Sequence, residues 1–301
     1  MLVLMLKELG LDADPVILST RENGVLHPAQ IMLNKFNYVI AKCSIGQKTY
    51  LLDATEKNCP YTLLPYRCLN GTGRIISDTK ADWIDLNSRQ KYDYTSILDL
   101  SIGTDGKISG TMNIVLNNYA ALVYRNDILS KNSQDDYARD FENENPGVSL
   151  SKLEIINLDS LYQPLVEKGK IEVSNACMVA GNLLTFNPML FEQVASNPFK
   201  LPKREYPVDY AYPRQHKYVL QYNIPDGYSV EELPSDISIA LPEGKAKFIS
   251  NIKLLGNKIL VNCILDVHSP LFTSEDYEAL KEFYDKVVKR EATMLVLKKN
   301  S

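Results

Sequence analysis

The chain has 301 residues and a formal net charge of −4 at pH 7, a length that is enough for about two domains with separate hydrophobic cores. The slightly acidic balance argues against nucleic acid or an anionic membrane surface as a partner, because clustered Lys and Arg are needed to bind phosphate groups. The longest apolar opening, Met1 to Leu6, is followed at once by Lys7 and Glu8. No run approaches the ~20 apolar residues of a membrane-spanning helix, so no membrane span is expected.

The first residues carry the pattern of a helix followed by a strand. Leu2, Leu6 and Leu9 recur at helical spacing and Gly10 follows, which predicts a helix that ends in a left-handed glycine cap. The Asp-Pro pair before Val16 favours an extended chain and a short strand over residues 16–18. Because the opening residues resemble the middle of an amphipathic helix, we expect Met1 to be an internal methionine or a boundary within a longer protein.

Two apolar segments, Phe36 to Cys43 and Thr49 to Asp53, are separated by five residues that include Gly46, and they predict a β-hairpin. If Cys43 pairs with Lys48, Tyr38 lies directly opposite Asp53, and a shift by two residues makes them diagonal neighbours on one face. A shift by one residue would separate them. An acid beside a partner on the next strand is the arrangement that a Cys-His-Asp triad requires, since the carboxylate orients the imidazole.

The remainder of the sequence predicts a sheet domain. Residues 60–89 contain Pro and Gly that break any period, which places a domain boundary near residue 85 and gives domains of 1–85 and 86–301. A helix is expected over 119–141, and a second begins at a capping-box-like Thr273-Ser274-Glu275-Asp276. Short strands separated by turns indicate an antiparallel β-sandwich. They are predicted over residues 94–102, 108–116, 152–158, 170–184, 216–224, 236–241, 246–254 and 258–267.

The chain resembles bacterial transglutaminase-like proteins of the papain type in residues 1–65. In that family a Cys near a helix N-terminus is followed by an apolar helix ending in Gly, an extended segment, a strand bearing His and a strand ending in Leu-Asp-Ala-Thr. Here Leu2 to Gly10, Ala13 to Arg21 and Leu52-Asp53-Ala54-Thr55 stand in that order. The rest, with Arg204 to Tyr210 and Ile224 to Tyr228, resembles the β-rich domain of unknown function that follows this core. The implied fold is α+β: an incomplete papain or transglutaminase-like core followed by a β-sandwich with two helices.

The resemblance implies a thiol hydrolase or transferase acting on amide bonds, with Asp53 at the acid position. Its nucleophilic Cys would precede Met1, and Tyr38 occupies the position of the family's His. A tyrosine, with an ordinary pKa of about 10, is a poor base at neutral pH, so the chain is expected to be inactive by itself. Asp53 could equally be a strand-end residue that binds its own turn, and Tyr38 a packed sheet tyrosine.

The alternative to a degenerate enzyme is a non-enzymatic binding or scaffolding module of the cell envelope, with a peptide, a protein or an envelope polymer as its partner. An exported or periplasmic location is what the resemblance implies. No cofactor or metal is expected, because the histidines are isolated from each other and from any Cys at ligand spacing. The five cysteines are odd in number, and Cys59 and Cys68 could either pair in an oxidising compartment or stay free.

Residues 199–216 combine cations with tyrosines. Such a mixture can stack on a glycan or a peptide. The other interpretation is a proline-stiffened connector whose tyrosines pack on the sheet.

Overall fold

The computed structural model describes residues 1–26, 29, 33–77 and 82–300. The chain divides into two compact units, the first formed by Met1–Lys91 and Tyr210–Pro213, the second by Tyr92–Asp209 and Arg214–Ser301. The division falls six residues later than the boundary expected from the sequence. No sequence feature indicated that residues 210–213 belong with the first unit.

The elements of the first unit are α1 (Leu2–Glu8), β1 (Asp12–Leu18), β2 (Tyr38–Ile45), β3 (Lys48–Leu52), β4 (Thr72–Ile75) and β5 (Trp83–Asp85). The five strands form one sheet in the order β3-β2-β1-β4-β5, with antiparallel neighbours throughout. Ala13, Val16 and Leu18 of β1 and Ile40 and Ala41 of β2 are buried, so the central strands of the sheet carry part of the core of this unit.

Helix α1 ends as the glycine pattern predicts. Gly10 has a φ of +76°. Its amide donates to the carbonyl of Lys7 at 2.9 Å, and the amide of Leu11 donates to the carbonyl of Leu6 at 3.0 Å. These two bonds form a Schellman motif, which satisfies carbonyl groups at the end of the helix.

The β2–β3 hairpin is tighter than expected. Both strands extend into the predicted five-residue connection and leave a turn of Gly46 and Gln47, with Gly46 at a φ of +59°. A glycine with positive φ at the first turn position suits a two-residue hairpin, because its twist matches that of the strands.

Strands β4 and β5 lie in the stretch that the sequence presented as irregular. Gly73 lies in β4, where this strand packs closely against β1: a Cβ atom at position 73 would lie 2.6 Å from Cγ1 of Val16. The glycine therefore marks close packing within a sheet instead of a break in it.

The strands of the second unit are β6 (Tyr92–Ile102), β7 (Ile108–Asn118), β8 (Val148–Ile156), β9 (Leu165–Val173), β10 (Cys177–Ala180), β11 (Leu183–Phe186), β12 (Val208–Asp209), β13 (Arg214–Asn223), β14 (Tyr228–Val230), β15 (Ile237–Ala240), β16 (Ala246–Leu255), β17 (Lys258–Val267), β18 (Leu271–Phe272) and β19 (Leu295–Lys299).

The second unit contains a large and a small sheet that share one core. The large sheet has the order β15-β16-β17-β13-β6-β7-β9-β8, and the small one β10-β11-β19-β14. In the large sheet β6 and β13 are parallel and the other neighbours are antiparallel. Phe186 of the small sheet meets Tyr222 of the large one at a ring separation of 5.2 Å, so the two sheets pack as a sandwich.

A short third pair, β12 with β18, completes the strands described in this unit.

The described part of the second unit has three helices, one more than expected: α2 (Tyr119–Ser130), α3 (Gln134–Glu144) and α4 (Tyr277–Glu291). The predicted helix over 119–141 is interrupted because Ser133 leaves the helical conformation and accepts a hydrogen bond from the amide of Asp136 at 3.1 Å. This is an N-cap, so a new helix starts there. The chain is thus β-rich with sheets that are mainly antiparallel, and the papain-type core of the first unit stays a prediction.

Candidate functional site

The β2–β3 hairpin brings Tyr38 and Asp53 together. Ala41 pairs with Leu52 and Cys43 with Tyr50, a register shifted by two residues from direct pairing of Tyr38 with Asp53. The two side chains are therefore on one face, and the Tyr38 hydroxyl donates to Oδ2 of Asp53 at 2.9 Å. The diagonal arrangement was one of the two registers that keep them adjacent. A catalytic role for either residue stays a prediction.

The carboxylate of Asp53 is buried and fully hydrogen-bonded, with 1% of its side chain exposed. Oδ1 accepts from the amide of Thr55 at 2.9 Å and from its hydroxyl at 2.8 Å. Oδ2 accepts from Tyr38 and from Nη2 of Arg67, each at 2.9 Å. A carboxylate offers about four acceptor positions, so these four donors use all of them, and the thiol of Cys68 adds a longer contact to Oδ2 at 3.7 Å.

Arg67 is the residue that sequence reasoning missed. Its Nε and Nη2 donate to the Tyr38 hydroxyl at 3.2 and 3.1 Å, and its Nη1 donates to Glu56 at 3.0 Å. The guanidinium carbon also lies 5.2 Å from the centre of the Tyr38 ring. Arg67 sits in a 3-10 turn, Tyr66–Cys68, 14 residues beyond Asp53. No periodicity connects such positions, so the sequence held no signal for this contact.

The network sets the charge of the site. Burial raises the pKa of Asp53, but hydrogen bonds from Thr55 and Tyr38 and the charge of Arg67 outweigh it, so the pKa is lowered from its usual value. Burial lowers the pKa of Arg67, while its bond to Tyr38 and the nearby Asp53 raise it above the usual value overall. Both groups are therefore charged at neutral pH and form an ion pair.

Two thiols lie beside this network. Cys68 is buried and its Sγ donates to Oδ2 of Asp53 at 3.7 Å. Cys59 donates to the carbonyl of Leu63 at 3.5 Å. Burial, followed by nearby carboxylates, raises the pKa of each thiol to about 12. Both are free, so the possible disulfide between them is not formed. Neutral thiols are weak nucleophiles, because the thiolate is the reactive form.

Two of the three histidines, His216 and His268, belong to the second unit and make contacts there. His216 lies against Tyr92 and Tyr94, with ring centres 5.3 and 5.6 Å apart, and burial with the charge of Arg214 lowers its pKa to about 4. Nε2 of His268 is 3.4 Å from Asp266. His27 lies outside the described residues. Among the residues that are described, no group of three His, Cys, Asp or Glu could hold a metal ion.

Comparisons with known proteins bear on each unit differently. A family model described as "Domain of Unknown Function with solved-structure structure (DUF3858)" matches residues 181–297, which belong to the second unit except for residues 210–213. No curated protein matches the chain. No described helix is long and apolar enough to cross a membrane.

A solved structure matches nearly the whole chain. It is the crystal structure of a putative protease from Parabacteroides distasonis ATCC 8503, with a TM-score of 0.50 and 13% sequence identity. The match covers 99% of this chain and 42% of that one. At this identity the likeness concerns the fold, so the chain has a β-rich fold similar to that of a part of a longer protein.

Proposed function

We propose that the chain is part of a transglutaminase-like cysteine peptidase or amidase that acts on amide bonds, and that Asp53 at the acid position is held in a non-catalytic state. The similarity in fold to a putative protease and the Leu52-Asp53-Ala54-Thr55 motif support the first part. The hydrogen bonds of Asp53 support the second.

The complete occupation of the Asp53 carboxylate carries this proposal. An imidazole that Asp53 oriented would need one of its oxygen lone pairs, and Tyr38, Thr55 and Arg67 already use them. The salt bridge to Arg67 satisfies the charge that would otherwise stabilise an imidazolium. The nearby thiols are neutral, as their raised pKa requires. We therefore expect no thioester chemistry at this site.

The experiment is an amine-transfer and amide-hydrolysis assay on the chain, using a fluorescent primary amine, casein as the acceptor protein and a fluorogenic amide. We expect no turnover above the buffer blank. Iodoacetamide should label Cys59 and Cys68 slowly, and faster as the pH approaches about 12. Turnover that disappears in Cys59→Ser, Cys68→Ser or Asp53→Asn would show that the site is catalytic and overturn the proposal.

A second candidate is a binding or scaffolding module of the cell envelope. It is favoured by Arg67, which fills the space beside Tyr38 and Asp53 with a cation. In this case the network rigidifies the turn after β3, and recognition of a peptide, a protein or an envelope polymer occurs elsewhere on the chain. An exported or periplasmic location belongs to both candidates. Alkaline phosphatase is active only after export, so its fusion to the parent protein, with any residues that precede Met1 included, tests the location: an inactive fusion contradicts it.

A further inference from the structure

Residues 200–207, here called the connector loop, are held at both ends within the second unit. Before the loop, Phe199 packs edge-to-face on Tyr277 and Tyr284 of α4, with ring centres 5.8 and 5.3 Å apart. After it, β12 pairs with β18. In the loop, the carbonyl of Leu201 accepts from the Tyr277 hydroxyl at 3.0 Å and from Nζ of Lys281 at 3.3 Å. The loop is therefore anchored although it has no regular secondary structure.

The connector loop exposes large apolar side chains instead of packing them. Tyr206 is 78% exposed and Leu201 is 57% exposed. Leu271 of β18, the pairing partner of Asp209 just beyond the loop, is 48% exposed. The interpretation in which the tyrosines of this segment pack on the sheet is therefore wrong for Tyr206. An exposed tyrosine on an anchored backbone provides contact area at a low cost in conformational entropy.

The charge of the loop is opposite to that of the chain. Lys200, Lys203 and Arg204 against Glu205 give +2, whereas the chain as a whole carries −4. Within the described part of the chain, the three cations have no carboxylate within ion-pair distance. Nε of Arg204 donates to the carbonyl of Tyr206 at 3.1 Å, which leaves the other guanidinium donors available to a ligand.

We propose that the connector loop binds an acidic peptide segment that also carries apolar or aromatic side chains. Its carboxylates would pair with Lys200, Lys203 and Arg204, and its apolar side chains would cover Leu201 and Tyr206. The exposed apolar groups favour a peptide over a polyanion that is polar throughout, because such a polymer offers nothing to bury them. Tyr and Arg are also the residues that most often dominate peptide and protein interfaces.

The rigidity of the loop backbone supports this inference. Pro202 and Pro207 each fix one backbone dihedral, and the anchors at Phe199 and Val208 fix the ends. The loop is therefore ordered before it binds a ligand. This order removes a large part of the entropy cost that a flexible loop would incur on binding.

The test uses the intact chain and a fluorescein-labelled peptide of repeating Glu-Leu-Glu-Tyr units, followed by fluorescence anisotropy. We expect saturable binding that weakens at least about tenfold in the double variant Lys203→Glu with Arg204→Glu, and by a similar factor in Tyr206→Ala. The matched control is Lys253→Glu with Lys258→Glu, two exposed lysines of β16 and β17 in the same unit. It should leave binding within about twofold of the parent. Circular dichroism checks that every variant is folded.

Each outcome of this binding experiment either supports the proposal or overturns it. No binding of the peptide by the parent chain overturns the proposal, as does an equal loss in the control variant, which would indicate general electrostatics. Binding of heparin without binding of the peptide assigns the loop to a sulfated polymer and overturns it as well. A labelled peptide with Gln in place of each Glu should not bind. Since none of these residues belongs to the Asp53 network, the result is independent of the amide assay.

Discussion

The guanidinium of Arg67 forms a salt bridge with the carboxylate of Asp53. The side chain of Asp53 is 1% exposed, and that of Arg67 is 35% exposed. We expect Arg67→Ala to lower the free energy of unfolding of the first unit by about 1–3 kcal/mol. Asp53 would be left buried without this cation, and solvent around Arg67 keeps the loss below that of a fully buried pair. Trp83, the single tryptophan, belongs to the first unit, so urea unfolding followed by its fluorescence measures the loss of stability in that unit.

The control for this prediction is Arg89→Ala, at an exposed position of the same unit. It should change the free energy of unfolding by no more than about 0.5 kcal/mol. Equal losses in the two variants would contradict a specific role for Arg67.

Tyr38 and Asp53 could be placed together from the sequence, because a hairpin links them and strand pairing has only a few possible registers. Arg67 could not, because it reaches Tyr38 from 29 residues away through an irregular segment. The residues that surround a site are fixed by tertiary packing, whereas those on one hairpin are fixed by local geometry. Asp53 at the acid position could therefore be identified in the sequence, and the Arg67 cation that pairs with it could not.

At the scale of elements, Arg125 joins helix α2 to the connection between β8 and β9. Its side chain is buried, with 1% of the residue exposed. The guanidinium donates to four backbone carbonyls at 2.8–3.3 Å, those of Asn157, Leu158, Ser160 and Gln163. Burial lowers its pKa from the usual value. The arginine thus adds side-chain donors to an irregular connection whose own backbone bonds are few, those from Ser160 to Asn157 and from Gln163 to Ser160 among them.

We expect Arg125→Ala to reduce the free energy of unfolding by about 2–4 kcal/mol, because four carbonyl groups lose a hydrogen bond from a buried guanidinium and its packing is lost as well. Arg125→Lys should recover only a part, since an ammonium lacks the planar fork that reaches several carbonyls. Amide hydrogen exchange over residues 157–163, with urea unfolding, measures both effects. Unchanged exchange in Arg125→Ala would contradict the assignment.

Strand prediction succeeded where strands are long and alternate. The predicted strand over 258–267 coincides with β17, and that over 246–254 ends one residue before β16 does. It failed for residues 170–184, where the chain forms the end of β9, then β10 and the start of β11. Turns at Asn175 and Gly181, both with positive φ, separate these strands. The turn residues Asn175 and Gly181 are present in the sequence, but a local pattern does not tell that β9 joins the large sheet while β10 and β11 join the small one.

At the scale of the whole molecule, two buried acids make the second unit sensitive to pH. Glu167 and Glu291 are 3% and 2% exposed. Burial raises the pKa of each to about 7 from an ordinary 4.5, despite hydrogen bonds from Tyr137 and Val194. Because the folded pKa exceeds the unfolded one, each group contributes stability that is complete below pH 4.5 and is lost as the pH rises through about 7.

We therefore expect the free energy of unfolding of the second unit to fall between about pH 5 and pH 8, by up to about 3 kcal/mol for each acid. Glu167→Gln and Glu291→Gln should each reduce this decline, since a neutral amide does not ionise. Glu154→Gln, at an exposed position of β8, should leave it unchanged. Urea unfolding followed by far-UV circular dichroism measures it, and a decline of equal size in all variants would exclude these acids as its source. The stability that Asp53 contributes to the first unit changes with pH in the opposite direction: because its pKa is lowered on folding, that stability is lost as the pH falls.

The sequence by itself determined the β-rich class, the glycine-capped first helix and the hairpin that joins Tyr38 to Asp53, because periodicity and turn chemistry act over short distances. Only the tertiary structure decided that Arg67 saturates Asp53, that residues 210–213 belong with the first unit and that Tyr206 faces solvent. These features depend on contacts between segments far apart in the chain, and no local pattern records which segments meet.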